Sequence, residues 1–282
     1  MNYIDLHLHS TYSDGTLTPL LLVKEAKKHG LQAISLTDHD TMEGVSEIIA
    51  HGITYGVEIL PGVELSAHID SASIHILGYG LRHNDPLLLS RLESIQHARN
   101  LRNEKIITRL NDLGIDITKE DVDTLSQTGQ TGRPHFAQIL ISKGVIHSFD
   151  EAFDKYLGQN GIAYVPRKIL PAADAIRYIK EAGGIAVLAH PLTIDQSITC
   201  IPELVETLKG FGLGGIEVYY PSHSKAARKT LFELSRVFDL VATGGSDYHG
   251  HSQTGNGMGK TGKNQRLPYE IFEKLKSRLQ TT

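Results

Sequence analysis

Short apolar runs recur along the chain, and most of them end at or beside a polar or ionisable residue. Seven of these runs predict strands, and amphipathic patterns at residues 19–29, 172–182 and 202–209 predict helices between some of them. Strands that alternate with helices are typical of parallel βαβ units. Because ionisable residues fall near the carboxyl ends of the strands, where barrels of the (β/α)₈ type build their active sites, the pattern predicts a related α/β barrel. The seven predicted strands are residues 3–9, 33–37, 58–65, 73–78, 185–189, 215–219 and 240–243.

The alternation stops between residues 84 and 163, where no run is typical of a strand. We interpret residues 84–163 as an inserted helical subdomain, and residues 1–83 and 164–282 as the barrel. In this segment Arg133 and His135 flank Pro134 at a predicted helix start, a position that favours anions. The helices predicted in the segment are residues 87–113, 118–125, 134–142 and 149–157.

Composition and charge narrow the classes of function. The chain has 282 residues and a net charge of −4, which does not indicate a basic nucleic-acid surface, although bound divalent cations would add positive charge. The single cysteine, Cys200, excludes an intramolecular disulfide and cysteine-based metal sites, and fits a reducing compartment. No apolar stretch approaches the ~20 residues of a membrane span, and no signal-peptide pattern is present. We therefore expect a cytoplasmic protein without a membrane partner.

Two histidines at alternate positions, His7 and His9, point to the same side of the first predicted strand. Imidazole is the commonest protein ligand for metals, and the Asp247-Tyr248-His249 segment repeats the spacing near the other end of the chain. A mixed histidine and carboxylate set without thiolates suits Mn²⁺, Fe²⁺ or Zn²⁺. Such a set is too large for one ion, and a carboxylate such as Glu64 could bridge two. The nine candidate ligands are His7, His9, Asp14, His39, Glu64, His75, His190, Asp247 and His249.

These residues lie in the motifs DLHLHSTYSDGT, LTDHDT, PGVELS, IHILGY, LAHP and GGSDYHG. As a set the motifs strongly resemble the polymerase-and-histidinol-phosphatase (PHP) superfamily. The resemblance is greatest to its TrpH-like branch, which includes nucleoside 3′,5′-bisphosphate phosphatases and 5′→3′ exoribonucleases of the RNase AM type. It runs from residue 3 to about residue 260, including the segment GRPHFA of the insertion. It implies a distorted (β/α)₇ TIM-like barrel that holds three divalent metal ions, with Mn²⁺ ahead of Fe²⁺ and Zn²⁺.

The resemblance also implies which residues hold each ion. The first ion would be held by His7, His9, Glu64 and Asp247. The second would be held by Glu64, His75 and His190, with His135 as a competitor to His190. The third would be held by Asp14, His39 and His249.

The function implied is a phosphoesterase in which metal-bound hydroxide attacks phosphorus. Its substrates would be nucleoside 3′,5′-bisphosphates, which lose the 3′-phosphate, and short single-stranded 5′-phosphorylated RNA degraded 5′→3′, with no obligate protein partner. The alternatives are a histidinol-phosphatase-type enzyme, against which the insertion argues, and a PHP module that serves a separate polymerase chain. The expected catalytic residues are His7, His9, Glu64, Asp247 and His223.

The expected phosphate binders are Arg133, His135 and His223. An arginine fork matches phosphate oxygens, but Arg133 also fits a solvated loop residue, and His135 also fits a metal ligand. Glu217 and Tyr219 alternate on the sixth predicted strand, so they could face the site or be buried against neighbouring strands.

Overall fold

A strongly curved sheet surrounds the centre of the molecule in the computed structural model, which describes residues 2–70, 72–125, 131–166, 170–250, 257–262 and 265–281. Its strands follow the order β8-β7-β6-β4-β3-β2-β1-β9, and β5 pairs with β3. The strands are β1 (Tyr3–Leu8), β2 (Leu31–Leu36), β3 (Glu58–Ile69), β4 (Ala72–Tyr79), β5 (Leu170–Pro171), β6 (Ile185–Leu188), β7 (Gly215–Tyr219), β8 (Val241–Gly244) and β9 (Leu267–Pro268).

The two ends of the seven-stranded wall meet beside β1, which nearly closes the barrel. Leu8 forms a parallel bridge with Tyr248, and the backbone N–H of His9 donates to the Tyr248 carbonyl at 3.0 Å. A Cβ at Gly245 would lie 2.2 Å from the Cβ of His7, so only glycine permits this approach. The closure places the first and last motifs of the chain side by side, and the predicted barrel is confirmed.

The fourth strand differs from the parallel pattern that the sequence predicted. β4 pairs antiparallel with β3 and with β6, while the pairs β1–β2, β2–β3, β6–β7 and β7–β8 are parallel. Only residues 70 and 71 connect β3 to β4. A connection this short joins antiparallel neighbours, because a parallel crossover needs about a dozen residues.

Helices cover the outer face of the sheet, and local sequence sets where they begin. In α1 (Pro19–Lys28) the Thr18 side chain accepts from the backbone N–H of Leu21, and Pro19 occupies the first turn. Apolar side chains on the inner faces of these helices bury against the strands, each contributing about 1.5–3 kcal/mol when fully buried. The other helices of this layer are α2 (Val45–Tyr55), α7 (Ala172–Glu181), α8 (Ile201–Phe211), α9 (Lys225–Val237) and α10 (Tyr269–Leu279), and a short 3₁₀ helix covers Pro191–Thr193.

The segment between β4 and β5 is largely helical in its described parts, as predicted. Phe136, Leu140 and Leu157 belong to a core of its own, whereas Leu88 packs into the main core of the barrel. The start of the first helix therefore belongs to the barrel by packing, and the division at residues 84 and 163 stays a prediction. The helices are α3 (Pro86–Asp112), α4 (Lys119–Asp123), α5 (Arg133–Ser142) and α6 (Phe149–Ala152), which continues as a π-helical turn (Phe153–Leu157). Among the described helices, none combines the length and the apolar character needed to cross a membrane.

Candidate metal centre

Glu64 lies at the centre of a cluster of imidazoles inside the barrel mouth. Its side chain is 1% exposed and is contributed by β3. Five imidazole nitrogens lie within 3.3 Å of its two oxygens. The single negative charge of the carboxylate could not balance five protonated imidazoles, so these contacts are not five simple ion pairs. At Oε2 the distances are 3.1 Å to His7 Nε2, 3.1 Å to His9 Nε2 and 3.3 Å to His39 Nδ1; at Oε1 they are 2.8 Å to His75 Nδ1 and 3.0 Å to His190 Nε2.

The ligand-type side chains fall into overlapping groups whose donor atoms lie within 4.8 Å of one another. One group has the four members expected for the first ion. A second contains the three residues expected for the third ion, with His9 added. The last combines Glu64 and His75 with His39, although His190 also approaches the same Glu64 oxygen as His75. The three groups are His7, His9, Glu64 and Asp247; His9, Asp14, His39 and His249; and His39, Glu64 and His75.

The donor chemistry of these groups fits divalent cations. His9 Nε2 and His39 Nδ1 are buried and make no hydrogen bond among the described residues. Both nitrogens nevertheless lie close to Glu64 Oε2, at 3.1 Å for His9 and 3.3 Å for His39, so a cation shared by ring and carboxylate would satisfy the lone pairs of both. Imidazole and carboxylate donors together suit Mn²⁺, Fe²⁺ or Zn²⁺ better than Ca²⁺ or Mg²⁺, which prefer oxygen ligands.

The carboxylates remain ionised in spite of their burial. Burial raises the pKa of Glu64, but His39, His7 and the other facing imidazoles hold it well below its usual value. The pKa of Asp247 is also held well below its usual value, because His7 and His9 outweigh the effect of burial. Without an ion, protons on histidines balance these negative charges.

The histidines divide according to their partners. Burial lowers the pKa of His9, but contacts with Asp247 and Glu64 raise it to about 10. The pKa of His39 falls to about 3, because burial outweighs the attraction of Glu64 and Asp14. In the metal-free protein His9 is therefore charged and His39 neutral at pH 7.

The metal-free protein is expected to lose stability as the pH rises toward 10. The pKa of His9 is about 10 in the folded state and about 6.5 in unfolded chains, so its contribution is complete below about pH 6.5 and disappears as the pH approaches 10. Each proton that only the folded state retains changes the free energy of unfolding by about 1.4 kcal/mol per pH unit. Urea unfolding in a chelator at pH 6.5 and pH 9 measures this slope. A free energy of unfolding that rises over this interval would contradict the protonated cluster.

Polar contacts behind the ligands fix their orientation. Tyr220 donates its O–H to Asp247 Oδ2 at 2.8 Å, which leaves Asp247 Oδ1 facing His7 at 3.3 Å and His9 at 3.2 Å. Buried Asp38 accepts from the backbone N–H of Ser10 at 2.7 Å, and so holds the turn that follows His9. Asp247 itself has a φ of 52°, a left-handed conformation that a non-glycine residue adopts only where its surroundings enforce it.

One cleft of about 180 Å³ joins the cluster to the helical segment. On the barrel side the cleft is lined by candidate metal ligands, and on the helical side by basic residues. The barrel side contributes Asp14, His39 and His75, and the helical side contributes Arg99, Arg102, Arg133 and His135. The structure thus places Arg133 and His135 in the cleft, while His223 is not among the residues that line it.

His135 lines the cleft with one of its two ring nitrogens already engaged. Its Nδ1 accepts the backbone N–H of Gly132 at 3.0 Å, and burial lowers its pKa. A neutral ring that accepts at Nδ1 carries its proton on Nε2. That tautomer has no lone pair left for an ion but can donate to a phosphate oxygen, so the geometry favours the phosphate-binding interpretation over the metal-ligand one.

His223 is 3% exposed and sits beside Tyr220, with ring centroids 5.2 Å apart. Its Nδ1 donates to the Val218 carbonyl at 2.9 Å, while its Nε2 is buried and has no hydrogen-bond partner in the described chain. Burial lowers its pKa. His223 Nε2 is therefore available to bind a ligand, and its contact with substrate stays a prediction.

Sequence reasoning missed Arg99 and Arg102, which both lie on α3. Arg99 pairs with buried Asp40, the neighbour of His39, and Arg102 is 6% exposed. Their spacing of three residues puts them on one face of the helix. That spacing could have identified a basic face, but only the packing of α3 shows that the face borders the metal cluster.

Comparison with known proteins agrees with this geometry. Residues 5–159 match the family model of the PHP domain. The chain is 34% identical over 245 residues to a 5′-3′ exoribonuclease of Haemophilus influenzae, covering 87% of this chain and 89% of that protein. It is 32% identical over 283 residues to a 3′,5′-nucleoside bisphosphate phosphatase of Chromobacterium violaceum, covering 99% and 98%.

A solved structure is similar over nearly the whole chain. It is described as an amidohydrolase from Chromobacterium violaceum with bound sulfate and no metal, and it superposes with a TM-score of 0.87 at 31% identity. The match covers 98% of this chain and 96% of that one, so the helical segment is included in the likeness. On the family model, these relatives and the shared architecture, the chain belongs to the PHP family of phosphoesterases.

Proposed function

We propose that the chain is a metal-dependent phosphatase that removes the 3′-phosphate of nucleoside 3′,5′-bisphosphates. The observation that carries the proposal is the shared cleft, in which metal-type ligands face Arg99, Arg102 and Arg133. A molecule with two phosphates can place one at the cluster and the other on the arginines. The bisphosphate phosphatase relative, which matches over 99% of this chain, supports that substrate class.

The proposed ions are held as the family resemblance implies, and we propose Mn²⁺ first, with Fe²⁺ and Zn²⁺ as alternatives. Glu64 holds two positions together, because its two oxygens face different sets of imidazoles. When bound, such ions neutralise phosphate charge and lower the pKa of water at the site. The first position is held by His7, His9, Glu64 and Asp247, the second by Glu64, His75 and His190, and the third by Asp14, His39 and His249.

The arginines and His135 bind and orient the second phosphate. Arg133 is positioned by a hydrogen bond to the Leu157 carbonyl at 3.3 Å and lies over the ring of Phe153 at 5.8 Å. His135 donates from Nε2 toward the same anion. The cleft is smaller than the roughly 300–1,000 Å³ of pockets that enclose whole ligands, so the phosphates lie inside it and the nucleoside extends toward its mouth.

We also propose that His223, which lies outside the lining of the cleft, acts on the reacting phosphate through Nε2. Its Nδ1 proton is committed to the Val218 carbonyl, so only Nε2 can exchange a proton with substrate. A protonated Nε2 donates to a phosphate or leaving oxygen, and a neutral one accepts from water.

We also propose a cytoplasmic location, which the lone exposed Cys200 supports, since unpaired thiols are typical of reducing compartments.

Replacing Arg133 with alanine is expected to raise KM for a bisphosphate about 10- to 100-fold, because one charge-assisted phosphate contact is worth roughly 1.5–3 kcal/mol. The metal content per chain should stay at the wild-type value, since Arg133 belongs to none of the ligand groups. Steady-state kinetics and elemental analysis on the same preparation measure both quantities. Arg109→Ala, which removes an arginine of α3 that contacts the Tyr164 carbonyl outside the cleft, is the matched control. Loss of metal in Arg133→Ala would mean that Arg133 supports the cluster instead.

A substrate panel tests the proposed function directly. Metal-loaded protein is assayed for inorganic phosphate from adenosine 3′,5′-bisphosphate and from histidinol phosphate, and for mononucleotides from 5′-phosphorylated oligoribonucleotides. Adenosine 3′,5′-bisphosphate should be preferred and should give adenosine 5′-monophosphate as the organic product. Faster release of mononucleotides from RNA would support the exoribonuclease alternative, which the relative from Haemophilus influenzae favours. Histidinol phosphate has only one phosphate, so a preference for it would contradict the proposal that the arginines bind a second phosphate.

A further inference from the structure

We propose that Glu217 is the positioning residue that sets the spacing between the first two metal positions, an inference that rests on the proposed ion assignment. Glu217 is fully buried on β7 and is not a member of any of the ligand groups. Its Oε1 lies 3.0 Å from His7 Nδ1, and its Oε2 accepts the backbone N–H of His190 at 2.7 Å. One carboxylate therefore contacts a ligand of the first position and a ligand of the second.

The contact with His7 is on the side of the ring that faces away from the cluster. His7 Nδ1 meets Glu217, while Nε2 meets Glu64 at 3.1 Å and Asp247 at 3.3 Å. A carboxylate accepts hydrogen bonds but cannot donate them, so it holds a proton on Nδ1. Nε2 then presents its lone pair to an ion when the ring is neutral. Metal-bound histidines generally carry such a partner on the other nitrogen, which fixes their tautomer and their ring orientation.

The contact with His190 fixes a backbone conformation. His190 has a φ of 26° and a ψ of 60°, which is unusual for a residue with a Cβ. The hydrogen bond to Glu217 stabilises this turn at the end of β6. In that conformation His190 Nε2 lies 3.0 Å from Glu64 Oε1, and its ring stacks near that of His7 with centroids 5.9 Å apart. Glu217 thus holds both ligands from behind while Glu64 contacts both from the front.

A glutamine cannot replace this carboxylate, although it has nearly the same shape. Both partners of Glu217, His7 Nδ1–H and the His190 N–H, are donors, and each needs an acceptor. An amide offers one acceptor oxygen and one donor NH₂. Glu217→Gln must therefore break the contact to His190, or move the proton of His7 to Nε2, where it blocks the lone pair that faces the ion.

A matched control separates positioning from burial. Thr243 lies beside Glu217 in the register of β7 and β8, and it is also fully buried. Thr243→Val changes a polar group at the same depth without touching either histidine contact of Glu217. Glu217→Asp keeps the carboxylate but shortens its reach, and it serves as a second variant should the glutamine variant fail to fold.

The experiment measures Mn²⁺ binding to the full chain by chelator competition, with elemental analysis at equilibrium. Glu217→Gln should lower the affinity of the first two positions about 10- to 100-fold, the usual cost of losing such a partner, and leave the third position unchanged. Glu217→Asp should lie between wild type and Glu217→Gln, and Thr243→Val should match wild type. The inference is overturned by wild-type affinity in either folded Glu217 variant, by equal weakening at all positions, or by an equal loss in Thr243→Val. These results do not depend on turnover, so failure of the proposed function, read from the substrate panel, remains distinguishable.

Discussion

Glu64→Gln is expected to abolish phosphate release, with a fall in kcat of about 10³-fold or more, equivalent to at least about 4 kcal/mol of transition-state stabilisation. The buried Glu64 carboxylate faces five imidazoles with both oxygens, and no other described carboxylate of the site contacts all five. The glutamine would place an NH₂ against ring nitrogens that the carboxylate now faces. Two metal positions should be lost together. Elemental analysis and steady-state kinetics on the same protein measure both losses.

Two further variants separate this effect from a general disturbance of β3 or of the cluster. Glu58→Gln removes a carboxylate from the exposed start of the same strand, where it pairs with Lys276 at 3.1 Å, and should behave as wild type. Asp14→Asn should weaken the third position most, since Asp14 faces His249, His39 and His9 but not Glu64. Equal metal content in wild type and Glu64→Gln would contradict the bridging role.

Removing the metal ions is expected to lower the melting temperature as well as to stop turnover. An ion present at 100 times its dissociation constant stabilises the folded state by about 2.7 kcal/mol, which for a chain of this size is roughly 5–10 °C. This stabilisation arises at the buried carboxylates of Glu64 and Asp247. Bound cations would balance their negative charges in place of protons on the neighbouring histidines. Thermal unfolding of chelator-treated protein with and without MnCl₂ measures the shift.

Calcium provides the control for this measurement, since a site rich in imidazole suits it poorly. CaCl₂ at the same concentration should raise the melting temperature less than MnCl₂ does. An equal shift with both salts, or no shift with Mn²⁺, would contradict a histidine-rich metal centre.

Much of the fold follows from local patterns, and the exceptions have physical causes. The predicted helix at residues 87–113 corresponds to α3 (Pro86–Asp112), because Asp85 and Pro86 mark its start in the sequence itself. Helix α2 was not predicted, since glycine at residue 52 interrupts its apolar face. Helix α9 was also missed, because its buried face includes Ala227 and Ser235, which weaken the apolar period. The antiparallel direction of β4 depends on the two-residue connection that precedes it.

The site could be predicted only where its chemistry is local in sequence. His7 and His9 are recognisable as a pair because a strand puts alternate residues on one side. Arg99 is not recognisable in this way, since nothing within α3 tells which neighbour its basic face meets. Glu217 was left open between the site and the core, and it proves to touch both, lying buried with its oxygens at His7 and His190.

We propose that the cluster around Glu64 binds three metal ions and hydrolyses a two-phosphate nucleotide that occupies the adjoining cleft. The most direct test titrates metal-free protein with Mn²⁺ and follows bound Mn²⁺ per chain and phosphate release from adenosine 3′,5′-bisphosphate in the same samples. Phosphate release should appear as the positions that share Glu64 fill, and it should be complete at three ions per chain. Protein that binds three ions but releases neither phosphate from this substrate nor mononucleotides from 5′-phosphorylated RNA would contradict the account.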